Sequence, residues 1–408
     1  MENKSSIMIF GASPEQKPLY LKAKEKGYRT IAIDTDPEAE CFSIADKYYT
    51  LGADQKGLLL DIALKEKIKA ATSMITEWGH EPIDYISREM GLSSFSRSSL
   101  EATVDKRKMR ELFQKARLNH LDYMFVESEK DARLFLEKTK CPIVLKPKDS
   151  SGQRGISKIK SPSEIKKGYV YAMEHSKGKS LIAEKYFPGQ EFHCAAAVLK
   201  RKVAALSISR RVLSKTAFGV AVRHIYPGGI SGSARRKMHD ICAELISLFE
   251  LENAIIYPQF MINGDGEVVL IEYAERMPGG LLYKLFELTQ GFDIVRFQLD
   301  ISLGEAKRAG DYEVSPKYDF LTIKFLNGIN GEDGELRPGR VREVKNLEEA
   351  KNLRGIIGAD FFGKNKLVKP LENGLDRFFY IIASGKSIRE AVENSDAAAK
   401  KLEFVYER

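Results

Sequence analysis

The chain has 408 residues, of which 43% are hydrophobic and 30% are charged, and this length allows roughly two to four domains with hydrophobic cores. The net charge of +8 comes from Lys and Arg residues that are scattered among 57 acidic residues, so the composition argues against nucleic acid as a partner. No apolar run approaches the roughly 18 residues of a membrane span, and the four cysteines lack CxxC spacing. We therefore expect a cytoplasmic protein without a membrane partner.

Strand-like and helical segments alternate over residues 7–103. The apolar runs "IMIFGA" and "RTIAIDTDP" read as strands, and the segment between them has helical spacing. This alternation predicts a parallel sheet with helices on both faces, in which ligands bind at the carboxyl ends of the strands. Because Gly11-Ala12-Ser13 lacks a full GxGxxG, a dinucleotide site is not expected there.

The central region mixes helices with antiparallel strands. "DKRKMRELFQKARL" is a basic amphipathic helix, three strand-like runs follow between residues 191 and 226, and two further runs flank the tight turn at 263–266. The C-terminal hundred residues return to mixed α/β structure with the helix "SIREAVENSDAAAKKLEF". The predicted fold class is therefore α/β, with an α+β central part.

A strand that ends in a cationic loop stands out in "CPIVLKPKDSSGQRGISKI". Lys146 leaves the strand with a fixed base and a mobile ammonium, and the Gly-bearing loop can cradle phosphates with its backbone N–H groups. Lys148 and Arg154 add charge that is complementary to phosphate. The loop alone is equally compatible with a surface hairpin turn that carries solvated cations.

The segment "LIAEKYFPGQEF" has the character of a linker between two lobes. The backbone of residues 185–187 can offer hydrogen bonds to the edge of an adenine ring. Glu191, seven positions after Glu184, can accept hydrogen bonds from ribose hydroxyls. Either glutamate by itself is compatible with a solvated charge at a strand end.

The hairpin around residues 263–266 carries a candidate metal site. Gln259 and Glu272 lie on its two strands, at distances from the turn that allow their side chains to meet on one face. An amide oxygen and a carboxylate are hard ligands that suit Mg²⁺. Arg276 follows at a position suited to a phosphoryl or carboxylate group. An ordinary hairpin with a charged face is the alternative.

Taken in order, these segments resemble the ATP-grasp superfamily over roughly residues 1–300. The matching segments are "DKRKMRELF", "IVLKPKDSSGQRGISKI", "AEKYFPGQEF" and "QFMINGDGEVVLIEYAERMPGG". The C-terminal part looks like the extra domain of the carboxylate–amine (L-amino-acid) ligase members. The resemblance implies an N-terminal Rossmann-like domain (1–103), an ATP-grasp N-terminal part with a mobile lid (104–184), an ATP-grasp C-terminal part with an antiparallel sheet and the metal hairpin (185–305), and a C-terminal α/β extension (306–408).

The resemblance also implies roles for individual residues. Lys146 and Arg276 would be catalytic, and Gln259 and Glu272 would hold Mg²⁺, for which Mn²⁺ is an allowed substitute. The implied ATP-binding residues are Lys106, Lys146, Lys148, Ser151, Gly152, Arg154, Gly155, Glu184, Lys185, Phe187 and Glu191. This chain departs from the family at Ala274, where an asparagine commonly acts as a further metal ligand.

The implied activity is an ATP-dependent ligation of a carboxylate to an amine, through an acyl phosphate, with release of ADP and phosphate. Amino acids are among the expected small-molecule substrates, and the family allows a homodimer. The candidate substrate residues are Glu77, Arg223, His224, Arg276 and Gly279, although His224 is also compatible with a structural histidine. Two alternatives stay open: a purine-pathway or biotin-type carboxylase that uses bicarbonate, and a non-catalytic nucleotide-binding regulator.

Overall fold

The computed structural model describes residues 5–118, 121–150, 154–215, 217–328, 336–363 and 366–407. Ser151 and Gly152, which the resemblance assigns to the nucleotide, lie outside the described residues, so their roles stay predictions. Among the helices of these ranges, none combines the length and the apolar character needed to cross a membrane.

The N-terminal part is a parallel sheet flanked by helices, as the alternating pattern predicts. Its strands are β1 (Ser6–Phe10), β2 (Arg29–Asp34), β3 (Lys47–Thr50) and β4 (Ile68–Thr72), in the order β3-β2-β1-β4. Its helices are α1 (Lys17–Glu25), α2 (Lys56–Lys65), α3 (His80–Glu89) and α4 (Arg97–Val104). Strand β1 is buried along its whole length, which is typical of a central strand covered on both faces. The loops after β1 and β4 therefore lie at the same edge of the sheet.

A second sheet forms the lid lobe, defined as residues 123–185. After α5 (Lys106–Lys115), the lobe contains β5 (Tyr123–Val126), α6 (Glu129–Thr139), β6 (Ile143–Pro147), β7 (Ser157–Ile159), α7 (Ile165–Glu174) and β8 (Leu181–Lys185). The strand order is β5-β8-β6-β7, with antiparallel neighbours. Helix α6 begins at a capping box between Ser128 and Asp131. The lobe has its own hydrophobic core, so it can move as a unit.

The largest sheet joins the central region to the C-terminal region. Central elements are β9 (Gln190–Leu199), β10 (Lys202–Leu213), β11 (Ala221–Tyr226), α8 (Gly232–Leu248), β12 (Asn253–Ile256), β13 (Gln259–Ile262), β14 (Val268–Glu272), α9 (Leu282–Gln290) and α10 (Ile294–Ser302). C-terminal elements are β15 (Leu321–Leu326), β16 (Gly339–Lys345), α11 (Leu347–Lys351), β17 (Ile356–Phe361), β18 (Leu367–Val368), β19 (Phe379–Ser384), α12 (Ile388–Lys401) and β20 (Glu403–Tyr406). The sheet runs β14-β13-β9-β10-β11-β15-β19-β17, with β12 paired to β9, so it crosses the predicted boundary at 305/306.

Hydrophobic cores on both faces of this sheet fix the lobes around the cleft. Helices α5 and α8 cover one face, with Phe113 and Phe249 fully buried against the sheet. Helices α9 and α10 cover the other face and pack against the N-terminal domain, where Phe297 and Leu19 share one core. An ion pair from Lys26 of α1 to Asp300 of α10, at 2.5 Å, reinforces this contact. The N-terminal domain is thus held against the sheet next to the metal hairpin.

Gly155 belongs to the lid loop, defined as residues 148–156, and packs against the end of strand β6. Its φ is +73°, and a Cβ placed there would lie 2.8 Å from both the His175 Cβ and the Pro147 Cγ. Such contacts and the left-handed backbone both require glycine.

We predict that Gly155→Ala lowers the free energy of unfolding by about 2–4 kcal/mol, because positive φ and overpacking act together. Gly91→Ala is the matched control: its φ is +64°, but a Cβ there would meet no atom within 4 Å, so we expect a cost of only about 1 kcal/mol. Denaturant unfolding measures both variants. Equal losses would show that the packing of Gly155 is unimportant.

A small polar cavity of about 40 Å³ lies between the N-terminal domain and the large sheet, lined by His80, Glu275 and Ser302 among others. The Oε2 atom of Glu275 is buried and has no hydrogen-bond partner among the described residues. Burial raises the pKa of Glu275 to about 8, against a lowering by the Ser99 hydroxyl, and nearby Asp84 raises it further. The carboxyl is therefore protonated at neutral pH.

A raised pKa means that the folded state holds a proton that the unfolded state has lost. Stability contributed by Glu275 should therefore fall as the pH rises from about 4.5, the ordinary value, to about 8. Glu275→Gln should remove this fall and stabilise the protein at pH 8 by a few kcal/mol at most. Unfolding curves between pH 5 and pH 8.5 test this, with exposed Glu89→Gln as the control. A steeper loss in Glu275→Gln would contradict it.

Candidate active site

A buried ion network lies where the lid lobe meets the cleft. Lys146 at the end of β6 places its Nζ 2.9 Å from one oxygen of Glu184 on the neighbouring strand β8. Arg110 of α5 donates its Nε–H to the other oxygen, at 2.5 Å. Burial raises the pKa of Glu184, but the charges of Arg110 and Lys146 outweigh it and lower the value to about 2. Glu184 therefore stays ionised and fixes the ammonium of Lys146.

The metal hairpin brings its two predicted ligands together. Gln259 and Glu272 are partners across β13 and β14, and the Gln259 Nε2 lies 3.5 Å from the Glu272 Oε2. Lys106 at the start of α5 places its Nζ 3.1 Å from the Glu272 Oε1. Burial raises the pKa of Glu272, but the charges of Lys106 and then Lys146 lower it overall. The Glu272 carboxylate and the Lys146 ammonium therefore lie within electrostatic reach of each other.

The oxygen donors at this hairpin match the coordination chemistry of magnesium. Gln259 offers an amide oxygen and Glu272 a carboxylate, and Mg²⁺ is usually bound by one or two protein groups together with substrate phosphates. Ala274 follows the end of β14 by two residues and is buried, and its methyl side chain has no atom that could bind a metal. Within the described ranges, no three His, Cys, Asp or Glu side chains cluster as a metal site. A metal at Glu272 would therefore depend on the nucleotide for most of its remaining ligands.

The lid loop is anchored on both sides of the cleft entrance. The Lys148 Nζ lies 3.3 Å from the Asp105 Oδ2, and its backbone N–H donates to the Ser180 carbonyl. The Lys106 Nζ donates to the Ser150 carbonyl at 2.6 Å. Arg154, at the far end of the loop, is exposed. The first part of the loop thus lies directly beside the lysine that contacts the metal hairpin.

In the segment predicted to bind adenine, two backbone N–H groups already form hydrogen bonds within the protein. The backbone N–H groups of Lys185 and Tyr186 donate to the carbonyls of Asp122 and Pro142. The following residue, Phe187, is half-buried and leaves the strand at this point. Contacts from Lys185 and Phe187 to a nucleotide stay predictions.

Glu191, the predicted ribose ligand, is buried on β9 and forms an ion pair with Arg211 of β10. Burial raises the pKa of Glu191, and the charge of Arg211 lowers it, with burial the larger effect. A further donor of Arg211 reaches the Gly219 carbonyl at 2.7 Å. The orientation of Glu191 is therefore set by protein contacts alone.

Two predicted substrate residues, Arg276 and Glu77, contact each other across the domain boundary. The Arg276 Nε lies 2.9 Å from the Glu77 Oε1, and its guanidinium lies 5.3 Å from the ring centre of Tyr257. The Tyr257 hydroxyl is 2.6 Å from the Nε2 of His193. Burial lowers the pKa of Arg276, but Glu77, Tyr257 and Glu272 together outweigh it and the pKa is raised. Glu77 thus holds a charged Arg276 at the edge of the cleft.

The structure separates Arg223 from its neighbour His224. Arg223 lies on the face of β11 that meets α12, where it forms an ion pair with Asp396 and donates to the Ser395 hydroxyl. His224 points to the opposite face, fully buried, and neither ring nitrogen has a partner among the described residues. Successive side chains of a strand point to opposite faces, so both residues cannot line one pocket. A role of Arg223 toward the substrate stays a prediction.

Gly279, the last of the predicted substrate residues, lies beside Glu15 of the N-terminal domain. A Cβ at Gly279 would be 3.5 Å from the Glu15 Oε2. The Glu15 Oε1 accepts a hydrogen bond from the Leu281 N–H at 2.7 Å. The glycine therefore keeps the backbone close to this carboxylate.

Sequence reasoning missed several charged or polar residues of the cleft. Arg110 had a readable signal, because it follows Lys106 by four residues and so lies on the same face of α5. The other missed residues are Glu15, His193, Arg211, Tyr257 and Arg377. They come from separate segments that only the folded chain brings together, and no motif marked them.

Comparisons with known proteins identify the domains. Residues 139–283 match the family model of the ATP-grasp domain, and residues 336–407 match that of L-amino acid ligase C-terminal domain 2. The formate-dependent phosphoribosylglycinamide formyltransferase of Methanococcus maripaludis is 26% identical over 177 residues, which cover 43% of this chain and 46% of that protein. This match thus spans about half the length of the relative. The formyltransferase of the same name from Ignicoccus hospitalis is 21% identical, with 98% of this chain and 96% of that protein covered.

Solved structures share the whole fold at low sequence identity. L-amino acid ligase from Bacillus licheniformis aligns with a TM-score of 0.81, 15% identity and 100% of both chains covered. Phosphoribosylglycinamide synthetase from Anaerococcus prevotii gives a TM-score of 0.77, 20% identity, and 99% and 100% coverage. A third structure is the biotin carboxylase domain of 2-oxoglutarate carboxylase from Hydrogenobacter thermophilus, in complex with MgADP. It aligns with a TM-score of 0.75 and 18% identity, and the alignment covers 98% of this chain and 90% of that chain. The chain therefore carries an ATP-grasp domain with an L-amino acid ligase C-terminal domain, which confirms the predicted family, and its fold is that of ATP-dependent ligases.

Proposed function

We propose that this protein is an ATP-dependent carboxylate–amine ligase that forms an amide or peptide bond through an acyl phosphate and releases ADP and phosphate. The observation that carries the proposal is that Lys106 pairs with Glu272 on the metal hairpin and Lys146 pairs with Glu184, while Lys146 and Arg276 both lie within electrostatic reach of Glu272. The match of residues 336–407 to an L-amino acid ligase domain supports amino acids as substrates. Assembly as a homodimer and a cytoplasmic location stay predictions.

In this proposal, the lysines of the cleft bind the nucleotide phosphates. Lys146 is held by Glu184, and Lys106 by Glu272, so both ammonium groups are positioned before ATP arrives. Lys148 and Arg154, with Ser151 and Gly152 between them, would cover the β- and γ-phosphates from the lid loop. Phe187 would contact the adenine edge through its backbone, and Glu191 would accept from the ribose.

Gln259 and Glu272 would hold Mg²⁺, or Mn²⁺ in its place, which neutralises phosphate charge when bound. Since Lys106 contacts the Glu272 carboxylate in this structure, metal binding would require the lysine to turn toward the phosphates.

The reaction needs alignment and charge neutralisation more than a protein nucleophile. An oxygen of the substrate carboxylate attacks the γ-phosphorus, and the bond from that phosphorus to the oxygen bridging to the β-phosphate breaks. The amine nitrogen then attacks the acyl carbon, and phosphate leaves. Arg276, fixed by Glu77, would stabilise the charge on the transferred phosphoryl group. The lid would exclude water, which otherwise hydrolyses the acyl phosphate.

A second candidate function is a purine-pathway formyltransferase or carboxylase. Two observations favour it: the names of the matched relatives, and Ala274 at the position next to the metal hairpin. In that case formate or bicarbonate would take the place of the amino-acid carboxylate as phosphoryl acceptor. The cleft chemistry would be the same up to the acyl phosphate.

We predict that Lys146→Ala and Glu272→Ala each reduce ATP-dependent phosphate release by about 100-fold or more, because the first removes a cation that offsets phosphate charge and the second removes a proposed ligand of the metal ion. The exposed Lys166→Ala on α7 should leave the rate unchanged. Circular dichroism and thermal unfolding show whether the variants are folded. Undiminished release by both cleft variants would exclude these roles.

Substrate identity is tested by a phosphate-release screen with mass spectrometry of the products. One arm contains pooled L-amino acids and small carboxylates, one contains bicarbonate with aminoimidazole ribonucleotide, and one contains formate with phosphoribosylglycinamide. We expect release in the first arm, with a product whose mass equals two substrates minus water. Release confined to either other arm would favour the second candidate. Tight MgATP binding without turnover in any arm would indicate a nucleotide-binding regulator.

A further inference from the structure

An arginine of the C-terminal region reaches the loop that follows the metal hairpin. Arg377 lies just before β19, yet a Cβ at Gly280 would be only 2.7 Å from its Nη1. Its guanidinium stacks 4.3 Å from the ring centre of Phe325, and its Nη2 donates to the Ala221 carbonyl at 3.3 Å. The arginine is therefore oriented by β11, β15 and the loop that follows Arg276.

The charge of this arginine is not matched by the protein. Within the described part of the chain, Arg377 forms no ion pair, and its buried Nε has no hydrogen-bond acceptor. By contrast, Arg276 is paired with Glu77, and Arg211 is paired with Glu191. Burial lowers the pKa of Arg377 to about 10, although the charge of Glu15 opposes this. A half-buried guanidinium without an anion is costly unless a ligand supplies one.

Glu15 is an opposite charge beside the same loop. It accepts the Leu281 N–H and lies beside Gly279, whereas Arg377 lies beside Gly280. Burial is the larger effect and raises the pKa of Glu15, although the Leu281 N–H, Arg377 and Arg276 act to lower it. Glu15 and Arg377 thus influence each other electrostatically but do not approach within ion-pair distance. A cation site and an anion site stand next to each other, close to the predicted phosphoryl-binding arginine.

We propose that Arg377 and Glu15 form the site for the amino-acid amine substrate, in which Arg377 binds the α-carboxylate and Glu15 receives the α-ammonium. This assignment rests on the proposed ligase function and deepens it. In a ligation of two amino acids, the first carboxylate becomes the acyl phosphate. Only the amine substrate keeps a carboxylate that needs a permanent cationic partner. Planar, bidentate recognition of carboxylates is the usual role of arginine.

The charges favour a zwitterion over a phosphate group. A phosphate dianion is normally surrounded by several cations or N–H donors, and a neighbouring carboxylate disfavours it. Here the single unpaired guanidinium of Arg377 stands beside the carboxylate of Glu15. An amino acid satisfies both charges at once.

The test compares each L-amino acid with its α-amide as the amine substrate, because the two differ only in the carboxylate. Arg377→Met keeps the stacking volume over Phe325 but removes the charge. We expect kcat/KM for the amino acid to fall roughly 30-fold or more, and that for the amide to change less than about threefold. Arg377→Lys should lie between wild type and Arg377→Met. The KM for ATP should not change.

Two further variants separate binding from structure. Arg389→Met, which removes an exposed arginine paired with Glu393 on α12, is the matched control and should behave as wild type. Glu15→Gln keeps the hydrogen-bond acceptor for the Leu281 N–H but loses the charge. It should therefore lower kcat/KM for the amino acid and for its amide to the same extent. If Arg377→Met reduced kcat/KM equally for the amino acid and its amide, or instead weakened the binding of phosphoribosylglycinamide, the proposed carboxylate site would be wrong.

A binding measurement distinguishes this site from the proposed function. Calorimetric titration of the twenty L-amino acids and their amides into protein with Mg²⁺ and a non-hydrolysable ATP analogue needs no turnover. If the wild type forms no product but binds an amino acid that Arg377→Met does not bind, the ligase proposal fails and the site stands. If product forms but Arg377→Met binds amino acids as well as wild type does, the site fails and the ligase proposal stands.

Discussion

The buried carboxylate of Glu184 is the interaction on which the candidate active site depends. Glu184 contacts Lys146 from the lid lobe and Arg110 from α5. All three side chains are almost inaccessible to water. A carboxylate buried without cations would be protonated, and either cation without it would be strongly destabilising. Because each member requires the others, the ammonium at the exit of β6 has one orientation. The metal hairpin, through Lys106, is built onto the same helix.

The continuous sheet explains why four regions of the chain share one cleft. Strand β15 pairs with β11, and β19 pairs with β15, so the C-terminal region extends the central sheet. The N-terminal domain is fixed against the other side through α9 and α10. Arg377 and Glu15 come from these two distant regions, yet both lie at the loop 279–281. A substrate placed there contacts groups from both ends of the chain, next to the arginine that follows the metal hairpin.

The sequence predicted those parts of the site that depend on local periodicity. A tight turn that is visible in the sequence places Gln259 and Glu272 on the two strands of a hairpin, and a register shift between Gln259 and Phe260 then brings the two residues opposite each other. Lys146 at a strand exit is similarly local. Arg223 and His224, both predicted as substrate residues, point to opposite faces of β11, because side chains alternate along a strand. That rule was available from the sequence, but which face met the cleft was not.

The amino-acid sequence by itself determined the family, the α/β class, and the order of phosphate loop, linker and metal hairpin, since each follows from patterns within about twenty residues. Only the tertiary structure decided which charges are partnered. Glu77 with Arg276 and Glu191 with Arg211 are joined across 199 and 20 positions, and Arg377 is left without an anion among the described residues. Ion pairing depends on distances and burial in space, and a linear sequence carries neither.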